Sequence, residues 1–218
     1  MKRNQSGFTL IEIAIVLVII GLLLGGVLKG QELINSAKVK NMATDFKNIP
    51  IYIYGYQDKY KALPGDDAAA VAHVGAPATD FGNGNGVING LWKPAALTDE
   101  TAIFWEHVRL AGLAAGTTTV SITAGNPYIP TNAVGGQIGI TNAVQSPIFG
   151  MKGSYIVCSN AIAGKYARQL DTTLDDGNTA TGSLQVTTVD SVAIPAAANA
   201  ISLVPANDDT TYLVCMGF

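Results

Sequence analysis

Charge is scarce in this chain of 218 residues, of which only 13% are charged while 48% are apolar. An intrinsically disordered chain combines few apolar residues with much charge, so that class is excluded. Thirteen basic and sixteen acidic residues give a net charge of −3, which argues against the basic face of a nucleic-acid-binding protein. The length suffices for one domain, or for a domain with an appendage.

Signatures of catalysis are also lacking. The two histidines, His73 and His107, lie near no nucleophile signature and show no metal-ligand spacing. Neither GxxxxGKS nor GxxxxGKT occurs, which excludes a P-loop ATPase. We therefore expect no catalytic residue, no cofactor and no enzymatic activity, and an anchored enzyme is the weaker rival class.

The hydrophobicity is concentrated in one run, residues 8–28, which reads FTLIEIAIVLVIIGLLLGGVL. Twenty-one helical residues at 1.5 Å each span about 30 Å, the thickness of the hydrocarbon core of a bilayer. Lys2 and Arg3 precede the run, and this positive flank predicts that the amino terminus stays in the cytoplasm. Gly7 also stands before the run, whereas a secretory signal peptide carries its small residues after it. A plain single-pass anchor is the simplest interpretation.

Glu12, the one charged residue of this run, does not suit a plain anchor. A carboxylate in a membrane helix costs about 3 kcal/mol on insertion scales, so we expect Glu12 to have a partner. If the chain is cut after Gly7, the new terminus is the positively charged amine of Phe8, about one helical turn from Glu12. In a bundle, a neighbouring copy can supply this amine, and the buried pair penalises every stagger that leaves one charge alone. The sequence therefore predicts a helix that packs against copies of itself.

These residues resemble a known family. Lys2-Arg3, then Gly7-Phe8-Thr9-Leu10-Ile11-Glu12, then the apolar helix are similar to the type III leader of type IV pilins and of the related pseudopilins of type II secretion. The resemblance implies cleavage after Gly7 by a prepilin peptidase, N-methylation of Phe8 and insertion in the inner membrane as a single-pass precursor. It also implies transfer by the inner-membrane assembly machinery into an extracellular helical filament of identical subunits. In that filament Glu12 pairs with the terminal amine of an adjacent subunit.

The expected function is that of a structural subunit of a type IV pilus, with no direct nucleic-acid partner. The alternative is a type II secretion pseudopilin or a minor pilin, which uses the same chemistry in a shorter fibre. The length slightly favours the pilus, because major pseudopilins tend to have smaller heads.

We predict four segments, namely a leader over 1–7, a transmembrane and filament-core helix over 8–28, an amphipathic stalk helix over 29–61 and a globular head over 62–218. The stalk has apolar residues at helical spacing, which are Leu33, Ala37, Phe46, Ile49, Ile53, Tyr56 and Tyr60. Pro50 is expected to kink or break this helix near Ile49.

Three glycines interrupt the filament-core helix, namely Gly21, Gly25 and Gly26. Many pilins carry a proline at the position of Lys29, near the end of the apolar run, where the helix loosens in the filament. Glycines weaken a helix by about 1 kcal/mol each, so they either allow local melting here or permit close helix packing.

The head alternates turns with short periodic runs, which predicts an α+β fold in which the long amino-terminal α-helix packs on an antiparallel β-sheet with many loops. The predicted helices cover 98–112 and 162–174, and the predicted strands cover 118–122, 137–140, 154–158 and 211–215.

Cys158 and Cys215 are the only cysteines, and each ends one of two similar pentapeptides, SYIVC and TYLVC. Oxidising conditions outside the cytoplasm favour a disulfide between them. This bond would close a loop of 58 residues and contribute about 4 kcal/mol in the chain-entropy model. A carboxy-terminal disulfide loop is also a feature that the resemblance implies. Two isolated cysteines do not predict a metal site.

Two acidic loops admit two interpretations. Aligning the asparagines of Asp80–Gly86 with an EF-hand puts Phe81 at position one and Trp92 at position twelve, so the EF-hand fails. A glycine-rich turn is the default, and a non-EF calcium site at Asp80 stays open because some pseudopilins bind calcium in a head loop. The sequence 175–178, DDGN, has the same ambiguity and also favours a turn.

Charge divides unevenly between stalk and head. Residues 29–61 carry six lysines and three acidic residues, whereas residues 62–218 carry five basic and twelve acidic residues. Opposite surfaces of this kind can complement each other between staggered subunits, and membrane-proximal lysines are the simpler explanation.

Overall fold

The computed structural model describes residues 9–123, 125–188 and 198–218, in two compact units of which one ends at Lys38 and the other begins at Val39. The helices are α1 Leu10–Tyr60, α2 Ala70–Val74, α3 Glu100–Leu110 and α4 Gly164–Leu174. The strands are β1 Ile138–Thr141, β2 Ile156–Ala163, β3 Leu184–Thr187 and β4 Thr211–Gly217. Short 3-10 turns lie at Ala143–Gln145 and Pro205–Asn207.

α1 is helical over 51 residues and continues through Pro50, so a break near Ile49 is wrong, whereas a kink there stays a prediction. A proline inside a helix removes one backbone hydrogen bond and costs about 3 kcal/mol. Phe46, Ile49 and Ile53 are at most 2% exposed and pack in the main core. Full burial of each such side chain contributes about 1.5–3 kcal/mol, so packing outweighs the cost of the proline.

The buried stripe of α1 begins later than predicted. Leu33 and Ala37 are exposed, and Tyr60 is half-buried. The buried residues of the helix are Val39, Met42, Ala43, Phe46, Ile49, Pro50, Ile53 and Tyr56. Their spacings of three and four positions define one face, which lies entirely in the second unit.

The four strands form one antiparallel sheet in the order β1-β2-β4-β3. Together with the long α1 helix, this sheet confirms the predicted α+β fold. Three predicted strands overlap β1, β2 and β4, whereas β3 is not among the predictions. The predicted strand over 118–122 is wrong: these residues form a loop whose side chains are exposed or half-buried, and Val120 packs against the edge of the core without strand pairing.

Helices α3 and α4 are both shorter than predicted. α3 begins after Asp99 rather than at Thr98, and Gly112 lies beyond its end with a left-handed φ of 76°. α4 begins at Gly164 because Ile162 belongs to β2 and pairs with Tyr212.

The two central strands, β2 and β4, contribute to two separate apolar clusters. The main core joins them to α1, α3 and α4 through alternate side chains, among them Val157, Ile162, Tyr212 and Val214. The second cluster contains Trp92, Ile148, Met151, Ile156, Cys158, Leu213 and Cys215. Because successive residues of a strand point to opposite faces, the sheet is covered by apolar side chains on both faces.

Candidate functional site

The predicted cleavage and methylation residues, Gly7 and Phe8, lie outside the described residues. Thr9 directly precedes α1, and Glu12 lies in its first turn. Glu12 Oε2 accepts hydrogen bonds from the Thr9 N–H at 2.8 Å and from the Thr9 hydroxyl at 2.7 Å. The Glu12 N–H in turn donates to Thr9 Oγ1 at 3.3 Å. This reciprocal pattern is a capping box, which satisfies backbone donors at the start of a helix.

The capping box gives Glu12 a role within its own chain. The Phe8 amine is the partner of Glu12 that the sequence predicts, and sequence reasoning did not identify Thr9 as a further partner. The signal for the cap was present in the sequence, because Thr9 and Glu12 have the T-x-x-E spacing of a capping box. Glu12 Oε1 accepts no hydrogen bond from the residues that the structure describes, so one carboxylate oxygen remains available to an amine.

The apolar segment, which we define as residues 9–29, is exposed at every position. Leu10 is 93% exposed and Leu22 is 73% exposed. By length and composition, α1 contains a stretch long and apolar enough to cross a membrane. The surface that this stretch presents is therefore almost wholly apolar and is not covered by the described part of its own chain.

The glycines of this segment are all helical. A Cβ placed at Gly21, Gly25 or Gly26 would meet no atom of the described chain within 4 Å. Local melting is therefore absent from this structure, and no contact within the described residues requires glycine at these positions. Melting in the assembled filament and close approach of another helix both stay predictions for these glycines.

In the head, Cys158 and Cys215 form a disulfide with a Cα–Cα distance of 4.1 Å. The two residues lie directly opposite each other in the register of β2 and β4, and both are fully buried. The bond thus joins the two central strands and closes a loop that contains α4 and β3.

The buried carboxylate of Asp66 organises the loop predicted as a turn or calcium site. It accepts the backbone N–H groups of Gly84 at 2.7 Å, Asn85 at 3.1 Å and Gly86 at 2.6 Å. Asp66 is 3% exposed, so these donors replace the water that the carboxylate loses on burial.

Glu100, at the start of α3, holds the same loop from its other side. Its Oε1 accepts the backbone and side-chain N–H groups of Asn83 at 3.1 and 2.7 Å, and its Oε2 accepts those of Asn89 at 2.7 and 3.0 Å. The loop therefore directs N–H donors toward the carboxylates of Asp66 and Glu100. A calcium ion bound by the loop would instead need oxygen atoms at these positions. Within the described ranges, the acidic residues of this loop form no group of three ligands. The turn interpretation is the one that this geometry supports.

Gly65 allows the Asp66 turn to reach α3. Its φ is +89°, and a Cβ added there would lie 2.5 Å from the carbonyl oxygen of Glu100. Its N–H donates to His107 Nδ1 at 3.0 Å. These hydrogen bonds join residues up to 42 positions apart in the sequence. Sequence reasoning missed them because each residue, taken with its neighbours alone, has the pattern of an ordinary turn or helix residue.

The two histidines are structural members of the head. His107 is fully buried, and burial lowers its pKa, so its Nε2 donates as a neutral ring to the Asp80 carbonyl oxygen at 3.1 Å. His73 Nδ1 lies 2.7 Å from Asp67 Oδ2, which also accepts the Tyr56 hydroxyl at 2.8 Å. Asp67 thus links α1 to α2, and His107 links α3 to the loop at Asp80.

The DDGN sequence forms a turn after α4, in which Asp176 Oδ1 accepts the Asn178 N–H at 2.8 Å. Carboxylate oxygens of Asp171, Asp175 and Asp176 all lie within 4.8 Å of one another. Sequence reasoning singled out the turn but missed Asp171, which the helical spacing of α4 places beside it.

Burial weakens the predicted charge contrast between stalk and head. Of the eleven acidic side chains that the structure describes in residues 62–218, five are buried, namely Asp66, Asp67, Glu100, Glu106 and Asp171. Charge complementarity between staggered subunits therefore has less acidic surface to use than the sequence indicates.

Comparison with known families gives one match. Residues 2–28 match the family described as the prokaryotic N-terminal methylation motif. This match confirms the resemblance to the leader of type IV pilin- and pseudopilin-type prepilins, whose family comprises structural proteins that are substrates of processing enzymes. The leader implies processing by a prepilin peptidase and assembly at the membrane, and with the apolar helix it fits anchoring in the inner membrane. Comparisons with curated proteins and with solved structures found no significant match.

Proposed function

We propose that this chain is the precursor of a type IV pilus subunit. It is cleaved after Gly7, N-methylated at Phe8 and polymerised into an extracellular helical filament, with residues 29–61 as stalk and residues 62–218 as head. One observation carries this proposal: the methylation-motif match over residues 2–28 coincides with an almost wholly apolar segment that is exposed at every position from 9 to 29.

The apolar segment has two environments that can cover it. In the membrane, lipid does so, and helices gain little from associating because lipid tails are as apolar as leucine. Outside the membrane, the same surface would meet water at a cost of about 25 cal/mol per Å². Packing among copies of the same segment removes this cost, so the helix that anchors the precursor is also suited to form the core of a filament.

Glu12 fixes the register in which neighbouring helices pack. Apolar side chains alone allow neighbouring helices to slide, whereas a buried charge must meet its partner at one stagger. The capping box occupies Glu12 Oε2, and the other carboxylate oxygen is available to the Phe8 amine of an adjacent subunit. The capping box and the pair between subunits are therefore compatible.

Gly21 and Gly25 support close packing. They lie four positions apart and hence on one face of the helix, where small residues let a neighbouring backbone approach.

The test separates the charge of Glu12 from its cap. Glu12→Gln keeps an oxygen that can accept the Thr9 N–H but removes the charge, so we expect normal insertion and processing with at least about tenfold fewer fibres. The matched control is Thr9→Ala, which removes the hydroxyl of the capping box and keeps the charge, and it should assemble nearly as well as the unmodified chain. Normal fibre yield from Glu12→Gln, or equal losses in both variants, would refute the register role.

A pseudopilin or minor pilin carries the same leader, so the major-pilin proposal needs a measurement of abundance. Sheared surface fibres should contain this chain as their main component. Trace amounts in fibres built mainly from another subunit would favour the alternative.

A further inference from the structure

Three carboxylates converge at the carboxyl end of α4. Asp171 lies in the last turn of the helix, and Asp175 and Asp176 follow it. One oxygen of each lies within 4.8 Å of the others. The outer two are held in place: Asp175 Oδ2 accepts the Leu184 N–H at 2.8 Å, and Asp176 Oδ2 accepts the Thr181 hydroxyl at 2.8 Å.

Asp171 lacks the compensation that a buried carboxylate needs. Its side chain is 0% exposed, and neither oxygen accepts a hydrogen bond from a residue in the described ranges. It also lies at the negative end of the α4 dipole, whose last turn contains no basic residue. A cation bound here would give Asp171 a partner and would offset the repulsion among the three carboxylates.

We propose that Asp171, Asp175 and Asp176 bind one calcium ion. Calcium takes six to eight oxygen ligands at about 2.3–2.6 Å, so two oxygens on opposite sides of one ion lie about 4.8 Å apart, and the three carboxylates fit around a single ion. A carboxylate oxygen that accepts one hydrogen bond keeps a lone pair for the ion. Water completes the coordination, because Asp176 is exposed.

The ion would connect three elements inside the loop closed by the disulfide. Asp171 belongs to α4, Asp176 belongs to the turn, and Asp175 is bonded to Leu184 at the start of β3. The site itself depends on the head alone. Only its expected affinity, a Kd of about 0.1–1 mM as in extracellular calcium modules, rests on the proposed location of the head outside the cytoplasm.

The test measures calcium binding by calorimetry on the purified full-length chain in detergent, with calcium chloride as the probe and magnesium chloride as the comparison. We expect one calcium per chain, at least about tenfold weaker magnesium binding, and a rise in the unfolding temperature with calcium that chelation reverses. Asp176→Asn, at an exposed position that leaves folding intact, should weaken calcium binding at least about tenfold. Asp171→Asn should abolish binding and leave the calcium-free protein no less stable.

Glu106→Gln is the matched control, because Glu106 Oε2 is also buried and unpartnered among the described residues but lies outside the group. It should bind calcium like the unmodified chain. The proposal is overturned by absence of binding at 10 mM calcium (about ten times the weakest expected Kd), by unchanged binding in Asp176→Asn, or by an equal loss in Glu106→Gln. A failure of filament assembly does not affect these outcomes, so the two proposals fail separately.

Discussion

Asp66→Asn is the substitution that tests the organisation of the head most sharply. Asp66 Oδ1 accepts the N–H groups of Gly84 and Asn85, and Oδ2 accepts that of Gly86. The amide of asparagine has the same shape but only one oxygen, so at least one backbone donor must face an NH₂ group. Hydrogen bonds to a charged group contribute about 1.5–3 kcal/mol each, and an unsatisfied buried donor costs about 1–3 kcal/mol. We expect a loss of about 2–4 kcal/mol in the free energy of unfolding.

Thermal unfolding of the purified full-length chain measures this loss. Both tryptophans, Trp92 and Trp105, are buried in the head, so near-ultraviolet circular dichroism follows its packing. For a domain of this size, 1 kcal/mol shifts Tm by about 2–4 °C, which gives an expected fall of roughly 5–15 °C. Asp58→Asn is the control: its carboxylate is exposed and 3.5 Å from Lys61 Nζ, so its Tm should change by less than about 3 °C.

Hydrogen exchange supplies the local readout for the same variant. The amides of Gly84, Asn85 and Gly86 should exchange faster in Asp66→Asn than in the unmodified chain, because their acceptor is weakened. A Tm shift no larger than that of Asp58→Asn, together with unchanged protection of these amides, would refute the role assigned to Asp66.

Three further outcomes are expected. Replacing both Cys158 and Cys215 by serine should cost about 4 kcal/mol, seen as a lower denaturant midpoint than in the oxidised chain, and an unchanged midpoint would contradict the bond. Burial and the neighbouring Asp80 raise the pKa of Glu106 to about 7. At pH values between the ordinary pKa of a glutamate and 7, the folded state therefore holds a proton on Glu106 that the unfolded chain has released. Stability should therefore rise on the order of 2 kcal/mol as pH falls from 8 to 5, and Glu106→Gln should flatten this slope in urea titrations at several pH values. Gly65→Ala should destabilise the head by several kcal/mol, because the new Cβ would lie 2.5 Å from a backbone oxygen at a φ of +89°, and wild-type stability of this variant would exclude that close approach.

Local patterns predicted the features that depend on neighbours in sequence. The apolar segment, the helical spacing of Phe46, Ile49 and Ile53, and the strand alternation before Cys158 and Cys215 all involve contacts that repeat every two to four residues. The break at Pro50 was wrong because a local cost was judged without the burial that offsets it.

The features that sequence reasoning missed depend on distant partners. Asp66 and Glu100 bind one loop from 18–20 and 11–17 positions away, respectively, and an acidic residue beside a glycine has the local pattern of an exposed turn until the fold buries it. β3 contains four residues and becomes a strand by pairing with the edge of β4. Asp171 was overlooked because its burial, and hence its lack of a partner, follows only from the packing of α4.

The central claim, that this chain is a processed and polymerised pilus subunit, is tested most directly by mass spectrometry of sheared surface fibres. We predict that this chain is the main protein of the fibres and that its first residue is N-methylated Phe8. Fibres that lack the chain, or a chain that remains in the membrane with residues 1–7 attached, would contradict the proposal.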